Sequence, residues 1–243
     1  MWTKKQIKVH QETAKKLIQI RNGALNYIKT NTKITEVDVR KLIQKEFKKN
    51  NLVSSKESPI VAFDGSCANP HYFPKRPKHL CNNCLIMLDI WARDKKNGSP
   101  YADMTWMAYK GKRVPKKIQE MFDLVIKSRD CSLSYIKSQL KKGNFPNGCD
   151  LDHASRQCIR DAGYASYFIH STGHSLGNYS PHGCRGGLRK SNHKPIHKNY
   201  GYTIEPGVYF PRKFGIRSEI NFYINDDNKV IITSDLQKKI III

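Results

Sequence analysis

Two carboxylates stand inside the most apolar stretches of this 243-residue chain: Asp89 in LIMLDIW (85–91) and Asp103 in YADMTWMAY (101–109). The first stretch is a short apolar run and the second alternates, so both read as strands. A carboxylate inside such a strand is costly unless it is paired or holds a metal. Either acid alone could sit at a strand end facing water. Both together, on what read as neighbouring strands, point to a shared cation.

Further chemistry gathers in the second half. YFIHSTGHSLGNYSPHG places His170, His174 and His182 among Gly173, Gly177 and Gly183. Glycine permits close backbone approach, and imidazole is a frequent ligand of borderline transition metals. Glu205 ends a β-rich triplet in TIEPGVYF, just before a Pro-Gly turn. Glu219 alternates with Arg217 and Asn221 and shares their face of the next strand. Four carboxylates and one imidazole suit divalent ions with oxygen-rich ligation: Mn2+, Co2+ or Fe2+, with Zn2+ also compatible.

The organisation is α+β. Residues 5–49 carry apolar positions at helical spacing in two segments, the second opened by Thr35, Glu36 and Asp38 as cap and acidic first turn. A strand over 59–63 and a Gly- and Pro-rich loop over 65–77 follow. The pattern then repeats: helices over 118–140 and 149–163, then strands at 167–169, 201–205, 217–224 and 230–233. The shared YIK, each time followed by an acid-x-Asp helix opening, suggests internal duplication. One domain over 1–243 is expected, with halves of roughly 1–115 and 116–243.

The set D-x13-D, HSTGHSLG, TIEPGVY and GIRSE resembles the pita-bread metallopeptidases, the superfamily of methionine aminopeptidase, aminopeptidase P, prolidase and creatinase. The HxxGH stretch with EPGxY and FGxRSE looks most like the Xaa-Pro branch. The resemblance runs from about residue 5 to the C-terminus and implies a catalytic domain without the N-terminal domain that many Xaa-Pro peptidases carry. It implies two pseudo-symmetric helix–strand halves around a curved antiparallel sheet. By similarity Asp89 chelates one metal, Asp103 and Glu219 bridge two, and His174 and Glu205 complete the second ion's shell. Glu205 is the implied general base. His71 and His182 are the implied contacts of substrate or intermediate, and His170 lies beside the proline pocket. Thr105 is implied to orient Asp103, and Arg217 to bind substrate or pair with an acid.

The resemblance thus implies a dinuclear exopeptidase cutting Xaa-Pro bonds at peptide N-termini, as aminopeptidase or dipeptidase, with homodimers frequent. Methionine aminopeptidase is the nearest alternative. A binding module of the same fold for nucleic acid or protein would show eroded ligands, and all five are intact. Two spacings depart from the family pattern: 14 residues from Asp89 to Asp103, and eight from His174 to His182.

Composition narrows the remainder. The net charge of +23 comes from lysines spread along the whole chain, including loop lysines such as Lys75, without a basic stripe interleaved with aromatics. Nucleic acid is therefore not the expected partner. No apolar run approaches the roughly 18 residues of a membrane span, and the charged start lacks a secretory h-region. A soluble, cytoplasmic protein is expected. The seven scattered cysteines read as reduced thiols. Cys81 and Cys84 form a CxxC, but no second close-spaced thiol or His pair accompanies them, so zinc is not expected there.

Overall fold

The computed structural model describes residues 1–74 and 78–243, leaving the end of the expected 65–77 loop, with Lys75, outside it. Two helices, α1 (Lys4–Thr30) and α2 (Glu36–Lys49), open the chain. Thr35 caps α2 as its spacing predicts: its hydroxyl accepts from the Asp38 N–H while Asp38 returns a carboxylate to the Thr35 N–H. Glu36, expected as a first-turn acid, does something else. It is fully buried, and its carboxylate accepts from the N–H groups of Phe63 and Lys78 and from the Tyr72 hydroxyl at 2.6 Å. It thereby ties the segment that carries His71 to the start of a helix.

The first sheet contains β1 (Leu52–Val53), β2 (Ile60–Phe63), β3 (Cys84–Asp94) and β4 (Tyr101–Lys110), with β1 and β2 both on β3. Helices α3 (Lys116–Lys141) and α4 (Gly148–Asp161) then repeat the opening pair. The second sheet takes β5 (Gly173–Leu176), β6 (His182–Leu188), β7 (Tyr202–Ile204), β10 (Ile220–Ile224) and β11 (Val230–Ile232) in the order β11-β10-β7-β5-β6. The ribbon of β8 (Gly207–Phe210) and β9 (Phe214–Arg217) stands apart. The fold is α+β with helix pairs preceding each sheet, as expected. The two sheets meet where the Asp103 N–H on β4 donates to Asn221 Oδ1 on β10, at 2.8 Å. Among the described residues, no helix is long and apolar enough to cross a membrane.

Four local expectations need correction. Residues 167–169 are not a strand: Ala165–Tyr167 is a 3-10 turn closed by i→i+3 bonds, and Tyr167 packs on Phe210. The strand expected over 217–224 breaks at Ser218–Glu219, where the Ser218 N–H bonds to the Pro206 carbonyl instead of a strand partner. The sheet is not wholly antiparallel, because β12 (Ile241–Ile242) pairs in parallel with β4. Finally, Cys131 and Cys158 are joined as a disulfide across α3 and α4, because facing helix positions bring together thiols distant in sequence.

His10 on α1 is buried, with Nδ1 2.9 Å from the Tyr101 carbonyl and Nε2 2.7 Å from Thr233 Oγ1. The neutral ring donates to the carbonyl and accepts from the hydroxyl. Burial lowers its pKa to about 4. The unfolded chain then binds the proton more readily, so this residue's stabilisation is complete above about pH 6.5 and is lost as pH falls towards 4. The loss is roughly 3 kcal/mol. Chemical unfolding against pH should show wild-type stability declining more steeply over this window than that of His10→Gln.

Candidate metal centre

Strand register explains how the two strand carboxylates meet. In the β3–β4 hairpin Asp89 lies opposite Thr105, and Asp103 stands two residues before Thr105 on the same face. The 14-residue spacing is absorbed in the turn beyond the pairing. Thr105 is the hub: its hydroxyl accepts from Arg217 Nε at 2.9 Å and lies 2.8 Å from Glu219 Oε2 and 3.1 Å from Asp89 Oδ1. The Arg217 guanidinium also pairs with Asp89 and donates to the Pro70 carbonyl. Its donors are directed at the acid and its supports.

The second sheet supplies the rest. His174 Nδ1 lies 3.0 Å from the Ser175 carbonyl, which makes it the N–H donor and leaves Nε2 bare. That nitrogen faces Glu205 Oε1 at 3.3 Å and Asp103 Oδ2 at 3.7 Å. Burial pulls His174 down to about 4, so it is neutral and fit to ligate. A register shift in β5 between His174 and Leu176 takes up the long spacing to His182, and the two rings come within 4.2 Å. Gly173 is required here, since a Cβ would lie 2.2 Å from the Thr203 carbonyl.

One cavity of about 270 Å³ is lined by Asp89, Asp103, His174, Glu205 and Glu219, together with His71, His182 and Arg217. His170 lies outside it, in an adjoining cleft, with Nε2 2.8 Å from the Tyr209 hydroxyl; burial, reinforced by Arg217, lowers it to about 3. Burial followed by neighbouring carboxylates pushes Asp103 and Glu219 well above the usual range. Asp89 and Glu205 are also raised, mainly by burial, against the pull of Arg217. Although burial opposes it, Asp89 holds Arg217 firmly charged, with help from Glu205 and Glu219.

Around this cavity the buried or half-buried carboxylates Asp89, Asp103, Glu205 and Glu219, with Glu57 also in the lining, meet one guanidinium. Asp103 Oδ1 and Glu219 Oε1 are buried without a hydrogen-bond partner, an arrangement proteins avoid unless something else binds there. Asp103, His174 and Glu219 offer ligand atoms within 4.8 Å of one another. Asp89 lines the same cavity, with Oδ2 paired to Arg217 and Oδ1 beside the Thr105 hydroxyl. Unmatched negative charge, orphaned oxygens and a bare imidazole nitrogen together fit divalent cations.

Several supporting residues escaped the sequence reading. The Thr203 hydroxyl donates to Glu205 Oε1 at 3.0 Å and accepts from the His174 N–H at 2.9 Å. Its position two residues before Glu205 on one strand face was the available signal. On α4, Asp152 accepts from both the N–H and the hydroxyl of Thr172, and Arg156 donates to the carbonyls of Phe168 and His170. This i,i+4 pair anchors HSTGH from beneath. Nothing in the strand motifs points to it.

The chain resembles an uncharacterized peptidase of Staphylococcus aureus, 27% identical over 222 residues, which cover 91% of this chain and 58% of that protein. It spans about half the length of the curated relatives it matches. In fold it superposes on an X-Pro aminopeptidase from Thermotoga maritima with a TM-score of 0.87 at 23% identity, covering 100% of this chain and 64% of that one. A prolidase from Thermococcus sibiricus gives a TM-score of 0.84 at 24% identity, with 100% and 62% covered. The family model of the M24 metallopeptidases matches residues 5–226, so the site described above lies in a chain that belongs to metallopeptidase family M24.

Proposed function

We propose that this chain is a dinuclear metal-dependent exopeptidase that hydrolyses Xaa-Pro bonds at peptide N-termini. The observation carrying the reading is the pair of buried, unpartnered oxygens on Asp103 and Glu219 beside the bare Nε2 of His174. Asp103 and Glu219 would hold both ions, with Asp89 completing one shell and His174 and Glu205 the other. Mn2+ or Co2+ suits this oxygen-rich set, and Zn2+ or Fe2+ is compatible. Such ions supply Lewis acidity to the peptide carbonyl and acidify water.

The protein side follows from the geometry. Glu205, raised by burial and held at Oε1 by Thr203, takes the proton of the attacking water as general base. His71 and His182 line the mouth and hydrogen-bond the scissile peptide. Tyr209 covers His170 beside the proline subsite. A cleft of about 1020 Å³ that shares His71 and His182 with the cavity is lined by Arg185, Arg189 and Lys194, and in this reading it takes the residues after the scissile bond. This lining favours peptides with a carboxylate after the proline.

The test is turnover of an Xaa-Pro dipeptide, of Xaa-Pro-Asp and Xaa-Pro-Lys tripeptides, and of a Met-Ala peptide. Metal-stripped protein resupplied with Mn2+, Co2+ or Zn2+ is used. Metal-dependent cleavage confined to Xaa-Pro bonds is expected, with Xaa-Pro-Asp preferred several-fold at low salt. Cleavage of Met-Ala alone overturns the specificity.

A further inference from the structure

The CxxC at the start of β3 has no place in the chemistry described so far. Its two thiols meet the carboxylate of Asp64, the first residue of the 3-10 turn Asp64–Ala68, and the three ligand atoms lie within 4.8 Å of one another. Cys81 Sγ is 3.4 Å from Asp64 Oδ2, while Asp64 Oδ1 accepts the Leu85 N–H at 2.7 Å. The second contact orients the carboxylate towards the thiols. Asp64 and Asn83 both adopt positive φ, 47° and 60°, which non-glycine residues rarely do. The backbone is thus bent at both ends of the cluster to bring these groups together. Cys84 is buried and Cys81 exposed, so one side of the cluster opens to solvent.

We propose that Asp64, Cys81 and Cys84 form a second, thiolate-containing site for a divalent zinc-like cation, separate from the carboxylate centre. Two cysteines at C-x2-C spacing with a carboxylate are a zinc-type donor set, and water from the open side completes a tetrahedron. Ligation requires both thiolates, so binding releases their protons to solvent. Cys84 and Asp89 lie five residues apart on β3, about 16 Å, so the two centres do not share ligands.

The site closes a loop. Asp64 and Cys81 bracket the segment that carries His71 and Tyr72, and Glu36 already grips that segment from α2. A cation at its base would fix both ends, and with them the residue at the mouth of the peptidase cavity. The sequence offered only the cysteine pair, because the third ligand comes from 17 residues upstream.

Cobalt titration of metal-stripped, phosphine-reduced protein tests the proposal. The carboxylate centre contains no sulfur, so sulfur-to-cobalt charge-transfer absorption in the near ultraviolet reports on thiolate ligation alone. The absorption should appear with Co2+ and be displaced by Zn2+. It should weaken in Cys81→Ser and vanish in the Cys81→Ser/Cys84→Ser double variant. Asp64→Asn should lower the cobalt affinity by about 10-fold or more, at least what removing a supporting group around a metal costs. Absence of the band at saturating Co2+, with the thiols free by colorimetric titration, overturns the proposal. So does a band that survives the double variant but disappears in Cys149→Ser, whose thiol lies 3.5 Å from His193 Nδ1.

Discussion

Asp103→Asn and Glu219→Gln should each lower peptidase turnover by about 1000-fold or more, equivalent to ~4 kcal/mol of lost transition-state stabilisation. Both carboxylates are buried, and each keeps an oxygen without a partner inside the cavity. Neutral amides of the same shape preserve packing while removing the charge that a cation needs. The stability of metal-stripped protein should move the other way. These acids are raised well above their ordinary values by burial and then by neighbouring carboxylates. The folded state therefore binds their protons more tightly than the unfolded chain does. Stability from this source is full at low pH and lost as pH rises through the raised values. At pH 8 without metal the amide variants should be more stable than wild type, and added Mn2+ should reverse the order. Steady-state kinetics and urea unfolding with and without metal measure both halves. An amide variant that keeps wild-type turnover refutes the site.

The second large effect concerns Arg217. Its guanidinium is the cation facing Asp89, and it also holds Thr105 and the Pro70 carbonyl. Arg217→Met leaves a buried acid without its partner, a change that costs about 3–5 kcal/mol. Arg217→Lys restores the charge but not the planar fork that reaches Asp89 and Thr105 together, so it should recover only part of the loss. Denaturant unfolding at pH 7 reads this directly. If Arg217→Met unfolds at the wild-type midpoint, the ion pair carries no structural weight.

Much of the centre could be read along the chain because its carboxylates sit in apolar strands, where a charge needs a reason. Asp89 and Asp103 announce themselves in LIMLDIW and YADMTWMAY, and the strand register places them on one face as alternation requires. The cap of α2 was equally legible, since Thr35 and Asp38 interact within one turn. What escaped was non-local. Glu36 looks like any first-turn acid until the chain returns with Phe63, Tyr72 and Lys78 to be bound by it. Asp152 and Arg156 resemble a surface helix pair, yet they hold the HSTGH turn. The 217–224 strand read as continuous because its alternation runs through Ser218 and Glu219. Backbone pairing ends where Ser218 bonds to Pro206, and no side-chain pattern encodes that choice.

The join between the two sheets has a consequence for how the molecule comes apart. Asp89, Asp103 and Thr105 belong to the first half, while their counter-charge Arg217 and the amide of Asn221 belong to the second. A half-unfolded molecule with only the first sheet intact loses the guanidinium that pairs with Asp89 and the amide that receives the Asp103 N–H at one stroke. Both contacts are buried in the intact molecule, so neither half keeps its polar groups satisfied without the other. The residues that shape the cavity therefore also couple the unfolding of the two halves.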